Sequence, residues 1–213
     1  MLIGKTRRMI KTSEFIRSWK TSPFREMDAA PWNVTTKLPQ LIEREMAKLS
    51  DAFKIEDQIA IHETASVEAG AVLKGPIVVG PNAFIASGAY LRGGVYLGTD
   101  CIVGPACELK TTIMFEGSKV AHLSFVGDSI IGARANIEAG AIIANYRNEM
   151  EDKLLKFIHA DKLVNTGVEK FGALIGDDAR IGANAVIAPG AILEPDYKLT
   201  RLGKVDQHPD ALT

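Results

Sequence analysis

The chain has 213 residues, 46% of them hydrophobic, which is enough to bury a core in one or two domains. Its formal net charge of −1 argues against a general nucleic-acid binder, because such proteins usually carry a strong basic excess. The first residues lack a signal-peptide pattern, and no window reaches the roughly 18 apolar residues that span a membrane. We therefore expect a cytoplasmic protein whose partners are neither membranes nor nucleic acids.

The first 58 residues are interpreted as a helical N-terminal cap, residues 1–58. The stretch "TSEFIRSW" predicts a short helix with Thr12 or Ser13 as its N-cap, and "LPQLIEREMAKL" predicts a second, amphipathic helix. The stretch "SPFREMDAAPWNV" between them is expected to be a loop. We interpret the helices as a cover for the open N-terminal end of the next domain, where strand edges would otherwise be unpaired.

A six-residue repeat begins at Ile61. Large apolar side chains recur at every sixth position as far as Phe115, and the rhythm returns in two later runs that end at Leu199. Two positions earlier the side chain is usually small, and Cys101 and Cys107 occupy such positions. Because they form no CxxC pair, we interpret the two cysteines as core residues.

The period identifies the fold class. A hexad with two inward residues and a corner predicts a short strand plus a turn, and three such strands make one triangular coil. A period of six fits no helical face. The sequence therefore predicts an all-β fold over residues 59–203, a parallel β-helix of hexapeptide repeats that resembles the left-handed kind, with residues 204–213 as a tail.

Three cations are spaced 18 residues apart, one coil of the predicted helix. Lys74, Arg92 and Lys110 should then stack about 4.8 Å from one another on neighbouring coils. Such a column repels itself in water and becomes favourable when an anion such as a phosphate binds against it. The alternative is a solvated ladder that acids such as Glu108 partly neutralise.

The rhythm breaks around His122. The spacing from Phe115 to Phe125 is ten residues, so we expect a small loop that carries Lys119 and His122 to bulge out of the coil. An ordinary imidazole has a pKa of about 6.5 and can accept a proton from an attacking amine near neutral pH. The alternative is a histidine that only hydrogen-bonds its own loop.

A longer excursion, residues 145–171, interrupts the repeat. A short helix around "MEDKLLKFIHA" is plausible within it. A long loop on a compact repeat is often a lid or an arm that reaches a neighbour, and it can equally be a tolerated insertion.

The run "SKVAHLSFVGDSIIGARANIEAGAIIANY" resembles the acetyltransferase domain of the bifunctional enzymes that make UDP-N-acetylglucosamine. The similarity continues through "FGALIGDDARIGANAVIAPGAIL" and back to "YLRGG" and "CELKT", over about residues 61–193. That domain is a left-handed β-helix that acetylates glucosamine-1-phosphate with acetyl-CoA, and its family forms trimers with active sites at subunit junctions. The uridyltransferase half is not expected here, because residues 1–58 are too short for a nucleotide-binding domain.

The resemblance implies roles for individual residues. It implies His122 as the catalytic base, with Asn145 and Tyr146 near the reacting amine. It implies that Arg92 and Lys110 bind the substrate phosphate, that Asn136 contacts the sugar, and that Phe125 and Tyr146 belong to the same substrate site. The 18-residue spacing adds Lys74 to these substrate-binding residues. Backbone N–H groups near Gly182 and Ala183, where the cofactor binds, or the Asn145 amide are the expected oxyanion donors. Acetyl-CoA is the expected co-substrate, and no metal is required.

Some residues depart from the family pattern. Phe125 stands where the family has a tyrosine, and Ala183 stands where serine is usual. The family's "NYDG" and following lysine are replaced by "NYRN" and the long insertion, in which Lys170 is one candidate for the lysine. These changes leave open a non-catalytic β-helix that binds a sugar phosphate or sugar nucleotide.

A metal-dependent hydratase is a third reading of a hexapeptide β-helix. It needs about three histidines that converge on one metal ion. The four histidines of this chain show no ligand spacing, so the sequence favours acyl transfer over hydration.

Overall fold

The computed structural model describes residues 10–27 and 29–212. The helical elements are two 3₁₀ helices (Thr12–Glu14 and Arg17–Thr21), helices α1 (Pro31–Thr36) and α2 (Leu38–Met46), and a third 3₁₀ helix (Pro209–Leu212). In chain order the strands are β1 (Phe53–Glu56), β2 (Ile59–His62), β3 (Ser66–Val67), β4 (Val72–Leu73), β5 (Ile77–Val79), β6 (Phe84–Ile85), β7 (Tyr90–Leu97), β8 (Ile102–Val103), β9 (Glu108–Met114), β10 (Lys119–Val120), β11 (Phe125–Ile131), β12 (Asn136–Ile137), β13 (Ile142–Ile143), β14 (Lys156–His159), β15 (Lys162–Asn165), β16 (Ala173–Ile175), β17 (Arg180–Ile181), β18 (Val186–Ile187), β19 (Ala191–Leu193), β20 (Lys198–Leu199) and β21 (Lys204–Val205).

Most strands form a parallel β-helix with three faces, each defined by the column of side chains that it directs into the core. The first face carries Ile61, Val79, Leu97, Met114, Ile131, Ile175 and Leu193. The second carries Val67, Ile85, Val103, Val120, Ile137, Ile181 and Leu199. The third carries Leu73, Leu91, Leu109, Val126, Ile143, Ile187 and Val205. The predicted all-β hexapeptide-repeat fold with a short helical extension is confirmed.

The two cysteines lie in this core, as predicted. Both are free and buried, and burial raises the pKa of the Cys101 thiol to about 11. A thiol protonated at neutral pH is a poor nucleophile, so Cys101 packs as a small apolar residue.

The prediction that Phe115 points inward is wrong. Met114 takes the inward position, because the corner between the third and first faces loses one residue there. In the preceding coil this corner holds Gly93 and Gly94, whereas in the next two coils it holds a single left-handed residue, Thr111 (φ 50°) and then Asp128 (φ 43°). After each shortened corner, the inward side chain comes one residue earlier in the sequence than a strict period of six predicts.

The loop expected around His122 is therefore absent from this region. Lys119 belongs to β10, in register with the strands before and after it, and His122 lies at an ordinary corner between β10 and β11. The irregular spacing that suggested a four-residue bulge came from counting from Phe115 to Phe125, which both lie outside the core columns. The inward residues are Met114, Val120 and Val126, at a regular spacing of six.

The N-terminal segment packs along the flank of the β-helix. No side chain caps the first 3₁₀ helix, whose N-cap is Lys11, and α1 begins within the stretch expected to be loop because Pro31 suits the first helical position. The helices lie on the outward side of the first face, over apolar residues that include Ile113 and Ile130. At the N-terminal end of the β-helix, β1 pairs antiparallel with β2. The backbone hydrogen-bonding groups of that edge are thus paired by a strand, and the helices do not cover it as predicted.

The insertion forms a hairpin of β14 and β15, and the predicted helix is absent. Ala160 and Asp161, both with positive φ (47° and 57°), make the two-residue turn that suits a hairpin. Phe157 is buried against Trp32 of α1, with ring centroids 5.8 Å apart. At the C-terminus, β21 pairs with β18, so the last coil extends two residues beyond position 203.

Residues 1–9 and 213, which the sequence assigned to the cap and the tail, lie outside the described residues. Within the described residues no helix has both the length and the apolar character needed to cross a membrane.

Candidate functional site

His122 occupies the corner between the second and third faces. Its backbone oxygen accepts hydrogen bonds from Gly140 N at 2.8 Å and from Ser124 Oγ at 3.2 Å. The imidazole is exposed, and among the described residues it has no hydrogen-bond partner. The ring is thus available to a ligand. The alternative, a histidine that only hydrogen-bonds its own loop, fits the backbone oxygen of His122 but not its side chain.

The cation column lies on the outward side of the third face. Arg92 is in register with Lys110, and Lys74 follows the residue that pairs with Leu91. The ring of Tyr90 makes cation–π contacts with two members of the column: Lys74 Nζ lies 5.1 Å and Arg92 Cζ 5.9 Å from its centroid. These contacts hold the column together through the aromatic face.

Carboxylates partly neutralise this column, as the ladder interpretation anticipated for Glu108. Arg92 donates to Glu108 Oε1 through Nε at 2.8 Å and through Nη2 at 2.7 Å. Lys110 Nζ lies 2.8 and 2.7 Å from the two oxygens of Asp128, and this pair is the more deeply buried of the two. Among the described residues Lys74 has no carboxylate partner, so the column keeps a net positive charge.

Asp128 also contacts a second predicted site residue. Asn145 follows β13 on the third face, and its Nδ2 donates to Asp128 Oδ2. Lys110, Asp128 and Asn145 therefore form one partly buried cluster at the end of the column, in which the Asp128 carboxylate is the most deeply buried group. Sequence reasoning missed Asp128, although it lies 18 residues after Lys110, the coil period that predicted the column itself.

The beginning of the insertion folds back on the same face. Lys153 Nζ lies 5.3 Å from the centroid of the Tyr146 ring and donates to the carbonyls of Arg147 at 3.2 Å and Asn148 at 2.9 Å. Lys153, which sequence reasoning also missed, is thus the lysine held beside Tyr146. Lys170 lies at the far end of the insertion and is exposed.

Phe125 is half-buried on the outward side of the third face, in register with Glu108 and Ile142. It borders the cation column and presents only a ring edge and face where a tyrosine would add a hydroxyl donor. The structure therefore brings five of the predicted residues together on one face: Lys74, Arg92, Lys110, Phe125 and Asn145. Tyr146 directly follows Asn145 in the chain.

Of the other predicted residues, Asn136 and Gly182 belong to the second face, and Ala183 lies in the turn that follows it, at the corner shared with His122. Asn136 and Gly182 line a small open cleft of about 130 Å³ together with Glu138, Arg180 and Arg201. Within one chain this cleft is separated from the cation column by the corner that carries His122.

The expected oxyanion donors near the cleft are already engaged. Gly182 N donates to Leu199 O at 2.9 Å, and Ala183 N donates to Glu138 Oε2 at 2.9 Å. The remaining donor that the sequence suggested is the side-chain amide of Asn145. It has two N–H groups, of which one donates to Asp128, so the second can serve an oxyanion.

Within residues 10–27 and 29–212, no cluster of three or more His, Cys, Asp or Glu residues has the arrangement of a metal site. The predicted site residues on the third face and their partners are instead cations, carboxylates and an amide, which suit an anionic organic ligand.

Comparisons with known proteins match two family models and several curated relatives. A family model described as the GMPPB C-terminal domain matches residues 73–164, and one described as a hexapeptide repeat of succinyl-transferase matches residues 172–198. A bifunctional sugar-1-phosphate nucleotidylyltransferase/acetyltransferase of Sulfurisphaera tokodaii is 34% identical over 165 residues, which are 75% of this chain and 41% of that protein. A bifunctional protein GlmU of Methanococcus maripaludis is 43% identical over 166 residues, which are 75% of this chain and 39% of that protein.

The chain thus spans about two fifths of the length of these curated relatives. Among solved structures, a mutant of the N-acyltransferase AntD from Bacillus cereus, bound to dTDP-4-amino-4,6-dideoxyglucose and coenzyme A, gives a TM-score of 0.47 at 15% identity, over 80% of this chain and 91% of that chain. The resemblance of this chain to the hexapeptide-repeat part of the bifunctional sugar-phosphate enzymes is confirmed.

Proposed function

We propose that the protein is an acyl-CoA-dependent N-acyltransferase whose acceptor is an amino-sugar phosphate, such as glucosamine-1-phosphate, or a sugar nucleotide. The observation that carries the proposal is the unpartnered imidazole of His122 beside a face that holds the Lys74, Arg92 and Lys110 column. The relatives named above, an acetyltransferase among them, support the same chemistry.

In the proposed reaction the cations bind the anionic end of the acceptor and orient its amine toward His122. The imidazole removes a proton from the amine nitrogen as that nitrogen attacks the thioester carbonyl of acetyl-CoA. The free N–H of the Asn145 amide stabilises the oxyanion. Collapse of the intermediate breaks the carbon–sulfur bond, and the imidazolium returns the proton to the departing thiolate. The products are the N-acylated sugar and CoA, and no metal takes part.

The cleft on the second face is the proposed CoA site. Gly182 lines it, and Arg180 and Arg201 supply cations that suit the phosphates of the cofactor. In the proposed complex the small side chain of Ala183, the next residue in the chain, leaves room for the pantetheine arm.

A homotrimer is proposed to bring this cleft against the cation column of a neighbouring copy. Exposed apolar side chains on the third face and its corner, Val72, Ile142, Val186, Leu123 and Leu202, support burial against a second chain. Light scattering tests the assembly: a monomeric mass would contradict it.

The test of the function measures CoA thiol release from acetyl-CoA with glucosamine-1-phosphate and a panel of other amino-sugar phosphates and sugar nucleotides. We expect turnover in the wild type, its loss in His122→Ala, and its retention in the matched control His62→Ala, whose ring bonds Thr64 Oγ1 at 2.9 Å in the first coil. Equal turnover in His122→Ala and wild type would overturn the general-base assignment. Binding of the acceptor without turnover in the wild type would instead identify a non-catalytic sugar-phosphate binder, the alternative suggested by Phe125 and Ala183.

A further inference from the structure

We infer that Gly127 and Asp128 are a positioning pair that seats the Asn145 amide against Lys110. Neither residue is placed in contact with substrate; both act on groups that are. The inference rests on the proposed function for its kinetic consequences, and its structural core stands on the contacts of the two residues alone.

Gly127 interrupts the cation column. It is in register with Lys110, at the position that carries Lys74, Arg92 and Lys110 in the preceding coils. A Cβ at Gly127 would lie 2.7 Å from Asn145 Cγ and 2.9 Å from Asn145 Cβ, closer than side-chain carbons approach one another. Since its φ is not in the left-handed region, Gly127 is required for space rather than for backbone conformation. The column of cations therefore ends at Gly127, and the Asn145 side-chain amide packs against this glycine instead.

Asp128 supplies the polar half of the pair. It sits at the corner that is shortened to one residue, with φ 43°, a conformation that aspartate tolerates better than most residues. That corner directs its buried carboxylate to Lys110 Nζ, at 2.8 and 2.7 Å, and to Asn145 Nδ2. One anion thereby fixes the ammonium and orients the amide so that Nδ2 points toward the carboxylate.

The two roles of Asp128 have opposite consequences for an acceptor. Its negative charge offsets the charge of Lys110 and so weakens the attraction of the column for phosphate. Its hydrogen bond to Asn145 holds the proposed oxyanion donor in place, and misplacement of such a group costs rate rather than affinity. A purely structural residue would not separate affinity from rate in this way.

The kinetic test compares Gly127→Ala and Asp128→Asn with wild type, using glucosamine-1-phosphate and acetyl-CoA. We expect kcat to fall about 100-fold in Gly127→Ala, because the added methyl displaces Asn145. In Asp128→Asn we expect kcat to fall about 10-fold while glucosamine-1-phosphate binds as tightly as before or more tightly, since the charge of Lys110 is no longer offset by a neighbouring carboxylate. Two folded controls, Gly98→Ala and Asp177→Asn, should keep wild-type kcat. A Cβ at Gly98 would lie 3.2 Å from Glu116 N, and Asp177 is a buried carboxylate that binds Arg17, so both test the general effect of such a substitution away from the proposed site.

A readout independent of activity separates this inference from the proposed function. The side-chain amide resonances of Asn145, identified by their loss in Asn145→Ala, should shift in both Gly127→Ala and Asp128→Asn and stay in place in the controls. If wild type turns over no acceptor, the proposed function fails, while shifted amide resonances still support the positioning pair. Unshifted resonances, or wild-type kcat in folded Gly127→Ala and Asp128→Asn, would overturn the inference.

Discussion

Arg147 Nη2 lies 2.5 Å from Asp206 Oδ1, and this ion pair joins the first turn of the insertion to the last coil of the β-helix. The side chain of Arg147 is only 3% exposed and that of Asp206 only 13%. Arg147 Nη2 also donates to Pro189 O at 3.3 Å, and Glu149 Oε1 accepts from Nη1 at 3.2 Å. Because Arg147 directly follows Asn145 and Tyr146, the pair anchors the chain just beyond the proposed site.

Arg147→Ala should therefore lower the free energy of unfolding by about 3–5 kcal/mol, since it removes the cation closest to the largely buried Asp206 carboxylate and leaves the more distant Lys204 Nζ at 3.6 Å. Urea unfolding measures the change. The matched control is Lys54→Ala, which breaks the exposed Lys54–Glu56 pair and should cost no more than about 1 kcal/mol. Equal losses in the two variants would contradict the anchoring role.

His208 gives this end of the molecule a predicted pH dependence. Burial, reinforced by the charge of Arg147, lowers the pKa of its imidazole from the ordinary 6.5, although Asp210 and Asp206 partly oppose the shift. Between the lowered pKa and 6.5 the unfolded chain binds more protons than the folded chain. The contribution of His208 is therefore present above pH 6.5 and is lost as the pH falls through that window.

The measurement is the free energy of unfolding between pH 7.5 and 5.5, conditions chosen to bracket the ordinary histidine pKa of about 6.5. His208→Gln should flatten the decline relative to wild type, whereas His62→Gln in the first coil should leave its slope unchanged. A wild-type slope in His208→Gln would show that other groups carry the pH dependence.

Arg92 and Glu108 yield a prediction about affinity. Arg92→Ala should weaken glucosamine-1-phosphate binding about tenfold or more, the worth of one charge-assisted hydrogen bond. Glu108→Gln should strengthen it, because it removes the carboxylate that occupies Nε and Nη2 of Arg92. Isothermal titration at low and high salt measures both, and the gain in Glu108→Gln should shrink at high salt. Weaker binding in Glu108→Gln would mean that the carboxylate orients Arg92 for the ligand rather than competing with it.

The hexad spacing predicted the fold and most of the core column because inward positions of a β-helix recur with the coil. It misplaced Phe115 because Met114 beside it is also apolar, so only the pairing of β9 with β11 identifies the inward residue. The predicted helix in the insertion became a hairpin because Phe157 packs against Trp32, a contact with α1 more than a hundred residues earlier in the chain. The sequence could not show that the N–H groups of Gly182 and Ala183 already donate within the chain, because their partners depend on which residues lie alongside.

The contact between Trp32 and the insertion supports a last prediction. Trp32 is 7% exposed and packs edge to face on Phe157, at 5.8 Å, and on Phe171, at 6.0 Å, so α1 supports both ends of the hairpin segment. Trp32→Ala should cost about 3–5 kcal/mol of unfolding free energy, the usual range for removing a buried tryptophan. It should also increase amide hydrogen exchange in β14 and β15 before exchange rises in the second face. Leu163→Ala, at a hairpin position that is 51% exposed, should change neither quantity appreciably. Uniform acceleration of exchange across the β-helix in Trp32→Ala would mean that α1 stabilises the whole fold, with no particular action on the insertion.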